Sequence, residues 1–361
     1  MKTFKCRSCD QMVFFESFVC TRCQHTLAFL PDYAIISALE PGNDGTWRAV
    51  GPSATGEQYR LCRNYVEQSV CNWAIPISEG PEEYCRSCRL NHKVADITDP
   101  DTKKAWHQLE IAKRRLLYTL LELGLPVQNK REDPAGGLAF DFLKDDEAGR
   151  VFTGHNDGVI TINMAEADDP FREKMREQMG EAYRTVLGHF RHESGHYYWQ
   201  RLVANSAYLD SFRNLFGNEQ EDYEEACKRY YAAGPLPEWW ESFVSAYATM
   251  HPWEDWAETW AHYLHMVDGL ETARAHGLSL QPSQAPETLS LSTRRLNLHS
   301  FDDLMKGWIP LTLSLNSMNR SFGAKDCYPF VLTARTIEKL HFVHDFIDNV
   351  WRNNTEFNLA S

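Results

Sequence analysis

The feature that most limits how this chain can fold is a motif near its middle, His192-Glu193-Ser194-Gly195-His196. Histidines four positions apart project from one face of a helix, so both imidazoles reach one metal ion only if this stretch is helical. Glu193 then lies beside the ion, where it can take a proton from water. The motif therefore predicts a helix with two metal ligands and a general base, a pattern typical of zinc hydrolases.

The alternative is a surface helix that carries two histidines and a glutamate for no chemical reason. The chain has 14 histidines, so the motif by itself is a hypothesis. Its neighbours Val186, Leu187, Phe190 and Tyr197 are apolar or aromatic, which indicates a buried helix. Buried histidines need polar partners, and a metal ion supplies them.

A catalytic zinc site needs a third protein ligand and keeps one position for water. Pro252 marks a helix start, and Glu254 and Glu258 follow one turn apart. We predict that Glu254 binds the metal and that Glu258 accepts from the ring N–H of a ligand histidine, which fixes the histidine tautomer. The reverse assignment stays open. Trp253 and Trp256 argue against the further alternative, that both acids form a solvated helix face.

Eight cysteines in the first quarter of the chain predict structural metal sites. Two Cys-x-x-Cys pairs ten residues apart indicate a tetrahedral zinc site rather than a redox dithiol, which usually occurs singly: Cys6, Cys9, Cys20 and Cys23. A second quartet, in which only the last pair has this spacing, suggests another: Cys62, Cys71, Cys85 and Cys88. Whether the quartets form in sequence or interleave stays open. The expected cofactors are one catalytic and one or two structural zinc ions.

The two groups of cysteines, and a change to helical apolar spacing after about residue 98, divide the chain into three regions. We predict a zinc ribbon over residues 1–30, a second cysteine-rich region over 31–97 and a metal-binding domain over 98–361. The third region opens with a helix over 103–123 and continues with a small sheet. Its strands are Leu138–Leu143 and Val159–Met164, the second preceded by a turn at Asn156-Asp157-Gly158.

Helices fill the rest of the third region. We expect a long helix from Pro170 to about Ala204 that carries the metal motif in its second half. Further helical stretches are expected over 218–233, 238–250 and 333–351, and a polar loop over 315–323 is a candidate to line the cleft.

Charge and hydropathy limit the kinds of partner that the protein is expected to bind. The net charge is −13, from 37 basic and 50 acidic residues, which argues against non-specific nucleic-acid binding. Residues 1–25 carry four basic and two acidic side chains, a weak footprint for phosphate. No apolar run approaches the ~18 residues of a membrane span. The first residues lack an apolar signal region, so we expect a cytoplasmic protein with reduced cysteines.

The chain resembles the bacterial zinc-binding metallopeptidases that carry an N-terminal zinc-ribbon region. The resemblance is carried by the eight cysteines, Leu187–Trp199, Ser245–His265 and Tyr328–Leu332. More distantly, Glu254-Asp-Trp-Ala-Glu258 is similar to the Glu-x-x-Ala-Glu segment of the gluzincins, where the first glutamate binds zinc. Tyr247, seven residues before Glu254, has the spacing of a gluzincin tyrosine that faces the site, and this makes it a candidate to stabilise an oxyanion.

The expected fold is therefore α+β, a zinc-ribbon region followed by a mainly helical, zincin-like domain of gluzincin type with a small sheet. The expected function is zinc-dependent hydrolysis of a peptide or related amide bond, with Glu193 as general base. An edge strand beside the cleft would take an extended peptide as an added strand. The competing interpretation is a catalytically silent, zinc-stabilised interaction module whose ribbons dock a partner protein.

Overall fold

The computed structural model describes residues 1–51, 57–147, 149–280, 289–290 and 300–359. Its cysteine-rich part contains short antiparallel strands, one turn of α-helix and two 3-10 turns, Ile77–Glu79 and Cys88–Leu90. A two-stranded ribbon, β1-β2, precedes a five-stranded sheet in which each strand pairs with the next, in the order β3-β4-β5-β6-β7. The elements are β1 (Phe4–Lys5), β2 (Met12–Val13), β3 (Thr26–Leu30), β4 (Ile35–Pro41), β5 (Trp47–Ala49), β6 (Gln58–Leu61), α1 (Arg63–Val66) and β7 (Ala74–Pro76).

The predicted boundary at residue 30 falls between two paired strands. Leu30 at the end of β3 lies opposite Ile35 at the start of β4. The zinc-ribbon segment is thus joined to the following segment by a continuous ladder of hydrogen bonds, and the division at residue 30 stays a prediction.

A second sheet and a long helix begin the rest of the chain. The order β10-β11-β9-β8 places β10 at one edge, antiparallel to β11, while β11, β9 and β8 run parallel. The turn predicted at this position joins β10 to β11, and its residues Asp157 and Gly158 are both left-handed, with φ angles of 50° and 81°. The elements are β8 (Asn91–Val94), α2 (Pro100–Glu122), β9 (Ala139–Leu143), β10 (Gly154–Asn156) and β11 (Val159–Asn163).

Helices make up most of the remainder, which confirms the α+β prediction. They are α3 (Asp169–Gln178), α4 (Val186–Tyr198), α5 (Leu209–Phe216), α6 (Tyr223–Ala233), α7 (Pro252–Ala275), α8 (Phe301–Ser321) and α9 (Ala334–Leu359), with a short strand pair between α7 and α8, β12 (Ser279–Leu280) and β13 (Leu289–Ser290). None of the helices in the described ranges is long and apolar enough to cross a bilayer.

The prediction of one long helix from Pro170 to Ala204 is wrong. The first helix, α3, ends at Gln178, and Gly180 follows with a φ of 66°. A new helix then begins, because the Thr185 side chain accepts from the backbone N–H of Gly188 and so caps α4. One π-helical turn, Trp199–Val203, extends α4 at its end.

Two further local predictions are wrong. Residues 238–250 contain only two 3-10 turns, Trp239–Glu241 and Tyr247–Thr249, and Glu238, where the helix was expected to begin, has a left-handed φ of 53°. The polar loop expected over 315–323 is largely the last part of α8, which continues to Ser321 beyond its last buried residue, Thr312.

The long helix α2 joins the cysteine-rich part to the helical part in one apolar core. The ring of Tyr118 packs edge-on against Phe15 and Phe29, at centroid distances of 5.6 and 6.2 Å. The Tyr118 hydroxyl donates to Glu271 on α7 (2.9 Å), and neighbouring Thr119 donates to Asp268 (2.8 Å). Through α2, the cysteine-rich part therefore contacts α7, the helix that carries Glu254.

Candidate metal centre

Helix α4 presents both histidines of the motif on one face, as the sequence predicted. Their Nε2 atoms lie 3.2 Å apart, close to the separation of two nitrogens that each bind one tetrahedral zinc ion at about 2.0–2.1 Å. The rings meet edge-on, with centroids 4.9 Å apart. His192 and His196 thus turn the same ring atom toward one point.

Helix α7 brings Glu254 to that point. The ring of His251 caps the helix by accepting from the N–H of Trp253 (3.1 Å), and Pro252 occupies its first turn. Glu254 therefore lies in the first turn, where the helix dipole favours a negative charge. Its Oε2 lies 2.9 Å from His192 Nε2 and its Oε1 3.4 Å from His196 Nε2. The three residues predicted as ligands offer atoms that all lie within 4.8 Å of one another.

Gly195 allows α4 and α7 to lie this close. A Cβ at this position would be 2.9 Å from Ala257 Cα and 3.2 Å from Trp260 Cβ, so any larger residue forces the helices apart. Two indole groups of α7 then bind α4. The Nε1–H of Trp256 donates to the Gly195 carbonyl (2.8 Å), and that of Trp260 donates to Ser194 Oγ (3.0 Å).

Glu258 lies at the opposite ring nitrogen of His192. Its Oε1 is 2.7 Å from Nδ1, while its Oε2 accepts from the Ser245 hydroxyl (2.6 Å). With Nδ1 donating to Glu258, the ring leaves Nε2 as its lone-pair atom. The two glutamates of α7 thus occupy different sides of His192, in the arrangement we predicted. Ser245 was not singled out from the sequence, because nothing in its spacing marks it as a partner of Glu258.

A divalent cation fits between these groups. Glu254 is 1% exposed, and its Oε2 accepts no hydrogen bond, which is costly for a buried carboxylate unless a cation compensates it. Two imidazole nitrogens and one carboxylate oxygen form the ligand set of catalytic zinc sites such as those of the His2Glu type. His192, His196 and Glu254 are the residues that would hold the ion.

The carboxylate of Glu193 differs from those of Glu254 and Glu258 in having no fixed partner among the described residues. Within the described part of the chain its carboxylate forms no hydrogen bond or ion pair, although the residue is 7% exposed. Burial raises the pKa of Glu193, against the opposing effect of the two imidazoles. A buried carboxylate without a fixed donor is available to a water molecule in the cleft.

Two tyrosines adjoin the centre. The ring of Tyr247 lies 6.0 Å from the ring of His192, and burial, followed by the charge of Glu254, raises the pKa of its hydroxyl well above the usual value. That hydroxyl therefore stays protonated and able to donate. The second, Tyr223 on α6, donates to Glu254 Oε1 (2.8 Å). It was missed from the sequence, since it lies in a charged helix with no spacing relation to either motif.

Two other histidines near the motifs, His189 and His262, are not part of the three-ligand group. His262 pairs with the Tyr328 hydroxyl through Nδ1 (2.7 Å), and burial lowers its pKa to about 4. His189 lies against Glu166, with Nδ1 3.3 Å from the carboxylate. Tyr328 belongs to the segment near the C-terminus that carried part of the resemblance, so its contact with His262 gives that segment a place beside α7.

Strand β10 is one of the two edge strands of its sheet. It packs on α4, and the His155 ring lies 6.0 Å from that of Tyr197, the residue that follows His196. Burial, with the charge of His196, lowers the pKa of His155 to about 3, so its ring is neutral. Its Nε2 accepts from the Gly158 N–H of the hairpin turn (3.0 Å).

The cysteines group in sequence rather than interleaving. The Sγ atoms of each quartet lie within 4.8 Å of one another: Cys6, Cys9, Cys20 and Cys23 in one, Cys62, Cys71, Cys85 and Cys88 in the other. In the second quartet two backbone N–H groups point at sulfur, Trp73 N to Cys71 Sγ (3.4 Å) and Cys85 N to Cys62 Sγ (3.5 Å). Four gathered thiols with such donors fit a closed tetrahedral zinc site.

Two family models match the chain. The model of a family described as "Putative zinc-binding metallo-peptidase" matches residues 102–346, and that of a zinc-ribbon domain matches residues 3–99. Uncharacterized proteins of Mycobacterium bovis and of two strains of Mycobacterium tuberculosis are each 41% identical over 351 residues, 97% of this chain and 96% of the relative. No solved structure matches the chain. With its zinc-ribbon region and its paired histidines on α4, the chain belongs to this family of zinc-binding metallopeptidases.

Proposed function

We propose that the protein hydrolyses peptide bonds at a zinc centre formed by His192, His196 and Glu254. The observation that carries this is the buried Glu254 Oε2, which accepts no hydrogen bond and lies 2.9 Å from Nε2 of His192. The other ring nitrogen of His192, Nδ1, already contacts Glu258. Two ring nitrogens and one buried carboxylate oxygen that face the same point form the ligand set of a catalytic zinc ion, which would compensate the charge of Glu254.

The chain's own groups divide the chemistry among them. A zinc ion in this centre supplies Lewis acidity, which lowers the pKa of water and polarises a carbonyl. Glu193 takes the proton from the attacking water and then delivers it to the leaving amine. Tyr247 donates a hydrogen bond to the oxygen that gains negative charge in the transition state. Glu258 holds the His192 ring in one tautomer throughout.

A peptide suits the surroundings of the centre. Strand β10 is one edge of its sheet and packs directly on α4, so an extended substrate paired with it would lie beside the helix that carries the two histidines. The cysteine quartets have a separate role in this proposal. Each holds a structural zinc ion that stabilises the strands around it, with no ligand position left for chemistry.

The test combines metal counting with a search for cleavage. We expect about three zinc ions per chain and cleavage of members of a peptide library, followed by mass spectrometry. The Glu193→Gln variant should keep all its zinc and lose at least about 100-fold in rate, because it lacks the general base. Glu177→Gln, at an exposed position on α3, is the matched control and should cleave like the parent.

Two results would contradict the proposal. One is equal cleavage by the parent and by Glu193→Gln. The other is a chain that binds two zinc ions only, since the centre on α4 and α7 would then be empty. A chain that binds three ions and cleaves nothing favours the catalytically silent interaction module.

A further inference from the structure

The insertion between the two metal-binding helices sends one side chain into the centre. Helix α6 is mostly exposed, and Ala226 is its one buried residue. Yet its first residue, Tyr223, places its hydroxyl 2.8 Å from Glu254 Oε1. The hydroxyl of Tyr223 is the donor in this contact, because a carboxylate beside two imidazoles is ionised.

The two oxygens of Glu254 are thereby in different states. Oε1 accepts from Tyr223, whereas Oε2 accepts nothing and lies closest to His192 Nε2. A carboxylate with both oxygens free can bind zinc through one or both of them. A donor fixed on one oxygen leaves the other to bind the metal and prevents rotation of the group.

Tyr223 is held in place by contacts that do not involve the metal ligands. Its ring packs edge-on against His251 at 5.3 Å and lies 6.2 Å from Trp253. His251 in turn joins both helices. Its Nε2–H donates to the Glu221 carbonyl just before α6 (3.1 Å), and its Nδ1 accepts from the Trp253 N–H at the start of α7 (3.1 Å). One neutral tautomer satisfies both bonds, so the start of α6 is locked to the start of α7.

We propose that Tyr223 is a positioning residue of the metal centre, which makes Glu254 a ligand through Oε2 alone. The inference rests on the proposed zinc centre at His192, His196 and Glu254 and deepens it. It gives the insertion a function, because α6 delivers the hydroxyl that donates to Glu254.

The experiment measures metal affinity rather than turnover. Protein with zinc in its cysteine quartets is titrated with Co²⁺ in competition with a chelator, and the visible spectrum of the bound Co²⁺ is recorded. The Tyr223→Phe variant removes one oxygen and keeps the ring that packs on His251. We expect Co²⁺ to bind about 10-fold or more weakly, with a shifted d–d spectrum as Glu254 becomes free to bind through both oxygens. Tyr231→Phe, a 62% exposed position on the same helix, is the matched control and should behave like the parent.

A double variant separates positioning from general damage. In a Glu254→Gln background the Tyr223→Phe change should have no further effect on Co²⁺ affinity, because its action passes through Glu254. An additional loss of similar size in that background would overturn the inference. So would a Tyr223→Phe variant with the parent's affinity and spectrum. If the parent itself binds no Co²⁺ outside the quartets, the proposed function fails, and this result is distinct from either of those.

Discussion

Glu258 Oε1 lies 2.7 Å from Nδ1 of His192, the ring atom opposite the one that faces Glu254. A carboxylate in this position fixes the tautomer and raises the basicity of the liganding nitrogen. The Glu258→Gln variant keeps an acceptor of the same shape and loses the charge. We expect its third metal ion to bind about 10-fold to 100-fold more weakly, measured by chelator competition.

The Ser245→Ala variant tests the same prediction with a smaller change. It removes only the second hydrogen bond to Glu258, so the loss of metal affinity should be smaller than in Glu258→Gln. If Glu258→Gln abolished the third site while Glu254→Gln kept it, the two glutamates would have exchanged roles, which is the alternative that the sequence left open.

The close contact at Gly195 gives a prediction about packing. In Gly195→Ala the new Cβ would meet Ala257 Cα at 2.9 Å, and backbone cannot yield as a flexible side chain does. We expect a loss of about 1–3 kcal/mol in the free energy of unfolding, together with weaker binding of the third metal ion, as α4 moves from α7. Urea denaturation measures the first effect.

Gly188 in the same helix provides the control. A Cβ there would meet only side-chain atoms, Thr185 Oγ1 at 3.1 Å and Tyr183 Cε1 at 3.5 Å. Alanine also favours a helix over glycine by about 1 kcal/mol, so Gly188→Ala should leave stability near the parent's. Equal stability of the two variants would show that the contact at Gly195 does not limit the approach of the helices.

Local patterns in the sequence were enough to place the parts of the centre. The four-residue spacing of His192 and His196, and of Glu254 and Glu258, indicated which residues share a helix face, since the helix period alone sets this. The turn at Asp157-Gly158 was equally readable, because few residues adopt positive φ. The α+β fold class followed from these local elements.

Contacts between segments that are distant in the sequence could not be predicted from it. Tyr223 reaches Glu254 only because α6 is locked to α7 through His251, and no periodicity records such a relation. The break between α3 and α4 was missed for a different reason. The helical spacing of apolar residues continues through residues 179–185. In the sequence, nothing distinguishes Thr185, which caps α4, from any other threonine in a polar stretch. Helix ends depend on single side chains, whereas helix faces depend on many.

The buried ion pair of Lys339 and Asp255 gives a third prediction. Lys339 Nζ on α9 lies 2.6 Å from Asp255 Oδ2 and 2.8 Å from the Ser242 carbonyl, and both side chains are at most 3% exposed. Lys339→Met leaves the Asp255 carboxyl, whose pKa burial already raises to about 7, without its cation. We expect a loss of about 3–5 kcal/mol in the free energy of unfolding.

The double variant tests whether the pair or the packing is responsible. Lys339→Met combined with Asp255→Asn removes both charges, so most of the lost stability should return, measured by the same denaturation. Full additivity of the two single losses would contradict the prediction. The pair also matters for the centre, because Lys339 holds Ser242 three residues before Ser245, the donor to Glu258.

The last prediction concerns the second cysteine quartet. All four of its cysteines are buried, and the Arg114 side chain of α2 donates to the Val70 carbonyl beside Cys71. A zinc ion at this quartet therefore stabilises the contact with α2 as well as the strands around it. Cys85→Ser should lower the zinc content by about one ion per chain and expose the cysteine-rich part to proteolysis. Cys327→Ser, at an exposed position on the connection between α8 and α9, should change neither. An unaltered zinc content in Cys85→Ser would show that these four thiols gather without a metal ion, and the stability of the sheet would then come from its apolar core alone.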